Sequence, residues 1–128
     1  MIFVEDIPEN GLIIVSVLFN GYKHNFQNDS RRNLLKTLPN LIKEKCGVQL
    51  VPVQFSLIRS IERTPDMSGR ESIGRARTVG VEYRYRFEHI EKEEFEEMYK
   101  EVKNYCSQRS IWRDYDIMLT DYVGEINE

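Results

Sequence analysis

Strict alternation marks the clearest part of the chain. Val79, Val81, Tyr83, Tyr85 and Phe87 fall on one side, and Gly80, Glu82, Arg84, Arg86 and Glu88 on the other. Period two with one apolar side is the pattern of a half-buried strand. The period then lengthens. Phe95, Met98, Tyr99, Val102, Tyr105 and Cys106 recur at helical spacing, so a helix is predicted to lay one apolar stripe against that sheet.

The remaining elements follow from the same reading. Residues 12–19 form a nearly unbroken, β-branched apolar run, which predicts a central strand buried on both faces. Asn20-Gly21 is a strong hairpin signal, with residues 22–27 as its return strand. Asn28, Asp29 and Ser30 offer helix caps. Leu34, Leu35, Leu38, Leu41 and Ile42 then give a helical stripe ending at Gly47, with a kink expected at Pro39.

Val51, Val53, Phe55, Leu57 and Ile61 alternate as a further strand. No period holds over residues 62–76, where Pro65, Asp66, Ser68, Gly69 and Gly74 cluster, so a long mobile loop is expected there. Tyr115, Ile117, Leu119 and Val123 point one way in a last strand, with Trp112, Asp114, Asp116, Met118, Thr120 and Tyr122 the other way.

This order predicts one α+β domain over residues 1–128. Two amphipathic helices lie on one face of an antiparallel sheet, and the succession is that of the ferredoxin-like split βαβ unit. The 128 residues suit a single core.

Composition narrows the function more than it defines it. The formal charge of −3 supplies no global basic field for nucleic acid, so anion binding has to be local. No apolar run approaches the ~20 residues of a membrane span, and the acidic start MIFVEDIPEN does not read as a secretory signal. Two cysteines, Cys46 and Cys106, fit reduced thiols in a cytoplasmic setting better than a disulfide.

Arg59, Arg63, Arg70, Arg75 and Arg77 form the one local concentration of cations, diluted by Glu62, Asp66 and Glu71. Guanidinium forks beside glycine and serine amides suit a phosphate, whereas the plainer reading is an ordinary charged surface. Residues 69–76 imitate a Walker loop but place Arg75 and Ala76 at the lysine and hydroxyl positions, and a strand rather than a helix follows. The aromatic strand invites comparison with RNA-binding sheets, yet its aromatic face is its only apolar face and is needed for the core.

Pro65-Asp66 with Glu82-Tyr83-Arg84 imitates a metal-dependent nuclease pattern in which the lysine is replaced. His24 and His89 have no second ligand at zinc spacing. No catalytic set converges, and nothing calls for a metal or a cofactor. The glutamates of the helix after Glu91 suit its dipole and a solvated face.

Trp112, Met118 and Tyr122 remain as large groups on an outward face, able to anchor a partner. The expectation is a non-enzymatic binding or assembly protein, acting on a protein partner or on itself as a homo-oligomer. By size and plan it is analogous to small viral or phage accessory proteins. A nucleotide or nucleic-acid binder using the arginines of residues 59–77 is second, and a nuclease-like enzyme third.

Overall fold

The computed structural model describes residues 9–21, 25–65 and 71–121, with 61–65 and 71–75 as backbone only. The fold is α+β. Its strands are β1 (Asn10–Phe19), β2 (Val51–Pro65), β3 (Glu71–Glu88) and β4 (Trp112–Asp121). They form one antiparallel sheet in the order β2-β3-β1-β4. A first helical segment runs as α1 (Asn25–Arg32), a π turn (Asn33–Thr37) and α2 (Leu38–Cys46), and α3 (Lys92–Ser107) is the second.

Both helical segments pack on one face of the sheet. Ile13, Val15 and Val17 of β1 and Val81, Tyr83, Tyr85 and Phe87 of β3 meet Leu34, Leu38, Ile42, Phe95, Met98 and Val102 in a single core. The alternation of β3 and the stripe of α3 therefore do what their periods predict. Burying each such side chain contributes roughly 1.5–3 kcal/mol. Glu91 and Glu94 form a reciprocal capping box at the start of α3, so two of its acids serve the helix itself.

Pro39 acts one turn earlier than a simple kink requires. The Leu38 N–H reaches back to the Asn33 carbonyl, five residues away, which widens the helix into the π turn. Continuing the wide turn would need an N–H from residue 39, and proline has none. The Leu34 carbonyl is thus left over, and the Tyr85 hydroxyl donates to it at 2.6 Å.

Several expectations are corrected. Residues 25–27 are helical rather than part of a return strand, and 22–24 lie outside the described residues. Asn20-Gly21 is no hairpin turn. The Asn20 N–H donates to the Ile111 carbonyl at 2.7 Å and its side chain to the Ser110 carbonyl, tying the end of β1 to the start of β4. Gly21 has φ +115°, a conformation side chains disfavour, as the chain departs towards α1.

The long loop at 62–76 is mostly strand. β2 and β3 stay paired from Arg59↔Thr78 out to Pro65↔Glu71, leaving only 66–70 outside the described residues. β1 pairs with β3 only as far as Leu18↔Gly80. Beyond that point β2 and β3 continue as a two-stranded ribbon about 20 Å long at the usual strand rise. Register shifts at Ile58/Arg59 and Ile61/Arg63 bend it, and a third at Pro52/Gln54 lies within the four-stranded sheet. Gly80 sits where the ribbon leaves the sheet, and a Cβ there would collide with the Val17 carbonyl.

β1 is central as expected, but its faces differ. Gly11, Ile13, Val15, Val17 and Phe19 are buried under the helices, while Leu12, Ser16 and Leu18 are half-buried on the second face. Gly11 is roofed by the Phe87 ring of its paired strand, which takes the place of a side chain there.

Candidate interaction surface

The second face of the sheet carries the side chains that the core does not use. Register places them in rows across the strands. One row is Gln54, Arg84, Ile14 and Met118, and the next is Ser56, Glu82, Ser16 and Asp116. Outside these lie Val51, Arg86, Leu12 and Thr120 on one side, and Ile58, Gly80, Leu18 and Asp114 on the other. No described element packs over them.

This face mixes aliphatic and charged groups. Met118 is 52% exposed and Val51 43%, whereas Ile14 is only 8% exposed although it points away from the helices. Its register neighbours Arg84 and Met118 are long side chains whose stems cover aliphatic surface. Arg84 pairs with Glu82 at 3.4 Å, and the Ser16 hydroxyl donates to Glu82 at 3.1 Å. Arg86 pairs with Glu88. These contacts set opposite charges beside one another on the sheet.

The three expected anchor residues separate. Met118 lies on the open face. Trp112 is buried at 6% exposure and belongs to the helix-side core. Its indole N–H donates to the Ser30 hydroxyl at 2.7 Å, and its ring meets Tyr105 edge-on. The cause is the register shift at Leu18/Phe19, where Phe19 faces Trp112 and Leu18 faces Asp114. Arg113 is the extra residue, so the alternation reverses between Trp112 and Asp114. Tyr122 lies outside the described residues. Val51 pairs with Arg86 on the open face, not with the inward set, and the shift at Pro52/Gln54 leaves Val53 45% exposed.

Four of the five arginines belong to the paired strands of the ribbon. Arg59 and Arg77 are exposed and belong to successive register rows, Arg59↔Thr78 and Ser60↔Arg77, which alternate between its faces. Arg63 and Arg75 lie further out on the same backbone, and Arg70 is outside the described residues. The structure therefore sets Arg59 and Arg77 on alternate sides of the ribbon.

A concavity of about 380 Å³ opens where the α2–β2 and β3–α3 links meet. Gln49, Arg86, Glu88, His89 and Glu94 supply its polar lining. Those charges already have uses within the chain. Arg86 pairs with Glu88, His89 Nδ1 lies 3.2 Å from Glu9, and Glu94 caps α3. His89 has φ +49°, and its N–H donates to the Glu9 carbonyl.

The thiols are set back from chemistry. Burial pushes Cys106 up from 9.0 to about 12. Burial, then the charges of Glu101 and Glu97, raise Cys46. Both are free thiols. Among the described residues no cluster of three or more His, Cys, Asp or Glu is placed to hold a metal, and no helix is long and apolar enough to cross a membrane. No family model matches the chain, and no curated protein matches it in sequence.

Proposed function

We propose that the chain is a non-enzymatic contact or assembly protein whose working surface is the open face of the sheet. The observation that carries this reading is the rigid, half-apolar face with Met118 and Val51 exposed on it. Exposed apolar groups on a face shared with charged ones are what contact surfaces use, and here Val51 and Met118 stand on the two edge strands with Glu82 and Arg84 between them. The ribbon of residues 59–65 and 71–78 adds to it, since beyond Gly80 neither strand has a further partner among the described residues. The β2-β3-β1-β4 order, with one helical segment after β1 and another after β3, supports a ferredoxin-like plan for the scaffold. Free thiols fit a reducing, cytoplasmic setting.

The second reading is a nucleic-acid or nucleotide contact through the ribbon. Five arginines against three acids in residues 59–77 favour it, because two-stranded ribbons also enter nucleic-acid grooves. Oligonucleotide titration at several salt concentrations separates the two. The contact reading expects no salt-sensitive binding. Tight binding that weakens steeply with salt and disappears in the Arg59→Ala, Arg63→Ala, Arg75→Ala triple variant would overturn it.

A further inference from the structure

We infer that the open face of the sheet takes a second copy of this chain, face to face, around a two-fold axis level with Tyr83. The inference rests on the contact reading and names its partner. Glu82 and Arg84 stand two residues apart on the same face of β3, the central charged pair of the patch. A two-fold axis lying between two such faces and running across the strands exchanges their positions. Glu82 of each copy then meets Arg84 of the other, so the contact is made twice.

The rest of the face follows the same operation. The row of Gln54, Arg84, Ile14 and Met118 lies over the row of Ser56, Glu82, Ser16 and Asp116 of the second copy. In the outer rows Leu12 meets Leu18, and Val51 meets Ile58, each twice. Arg84 thereby faces Glu82, and Leu12 and Val51 face aliphatic groups, while Ile14 faces Ser16 and Met118 faces Asp116. An axis along the strands would instead set Arg84 on Ile14 and leave the charge without a counterpart. Within one copy Arg84 lies 3.4 Å from Glu82, which also accepts from the Ser16 hydroxyl, so the two charges already stand side by side on the face.

Size is compatible with a weak dimer. Four strands about 4.8 Å apart and about eight residues at 3.3 Å rise cover roughly 500 Å² per face. Two such faces together reach about 1,000 Å², near the lower limit for a specific interface and within the size range of weak, transient contacts.

Charge exchange tests the partner and the symmetry together. Glu82→Arg and Arg84→Glu are made singly and together, and sedimentation velocity follows each over a concentration series. Circular dichroism and melting confirm that the variants fold. The wild type should dimerise, and each single variant should lose at least tenfold in association. An equimolar mixture of the two single variants should form a mixed dimer, identified by native mass spectrometry, and the double exchange should recover association. A wild type that stays monomeric up to millimolar concentration would overturn the inference, as would a mixture that associates no better than either variant alone. In that case protection of Met118 by an added, different protein would still uphold the contact reading. Salt-sensitive oligonucleotide binding would remove both.

Discussion

The Tyr85 hydroxyl sits 2.6 Å from the Leu34 carbonyl, which Pro39 leaves without a helical donor. One residue from β3 thus completes a helix that a proline interrupts. Tyr85 is fully buried, so no water is available to take over the bond. The contact also fixes how the first helical segment lies over the sheet.

Tyr85→Phe should therefore cost about 1–3 kcal/mol, the range for stranding a buried acceptor. Pro39→Ala restores an N–H that can reach Leu34, so the same change should cost under about 1 kcal/mol in that background. Denaturant unfolding of the four proteins in this cycle measures the coupling. Equal costs in both backgrounds would show that the proline does not create the vacancy.

Trp112 and Ser30 give a second test. The chain has one tryptophan, so fluorescence reads this site alone. Its emission should be blue-shifted and poorly quenched by acrylamide in the native protein. Ser30 is fully buried, and Ser30→Ala removes the acceptor of the indole N–H, at an expected cost of about 1–3 kcal/mol. Strong quenching of the native emission would restore Trp112 to the surface.

Alkaline pH should weaken the fold through Cys106. Its thiol stays neutral in the folded state up to about 12, whereas an unfolded thiol ionises near 9.0. The folded state then holds more protons, so this contribution is complete below pH 9 and is lost as pH rises towards 12. The expected slope is about 1.4 kcal/mol per pH unit for one proton. Tyr85, raised by burial and then by the neighbouring Cys106, Tyr83 and Tyr105, acts in the same direction at higher pH. Cys106→Ala should flatten the stability curve between pH 9 and the onset of the tyrosine effect. An unchanged curve would assign the loss to other groups. At neutral pH a thiol reagent should label Cys46 slowly and Cys106 only on unfolding.

Periodicity made some of this architecture readable and hid the rest. β3 and α3 were legible because each buries one face under a strict repeat, as Tyr83, Tyr85, Phe87, Phe95 and Met98 show. The ribbon was not, because hydrophobic alternation reports burial and residues 62–76 show no such alternation, although the backbone pairs there. α1, with the sequence NFQNDSRR, carries too few apolar residues to show a stripe. The reversal at Arg113 is a single-residue bulge, and it moved Trp112 from the expected surface into the core. Met118 was legible as an outward residue. The aliphatic floor of the same face, Leu12, Ile14 and Leu18, was concealed because the unbroken run of β1 reads as burial on both sides.

Carbene footprinting of the native protein over a concentration series shows which surface the copies share. Met118 and Val51 lie on the open face, and Leu35, 36% exposed on the helical layer, is the internal reference. Labelling of Met118 and Val51 should fall as the protein associates while labelling of Leu35 stays constant. Labelling of all three that stays constant through association would contradict this, because the copies would then meet through some other surface.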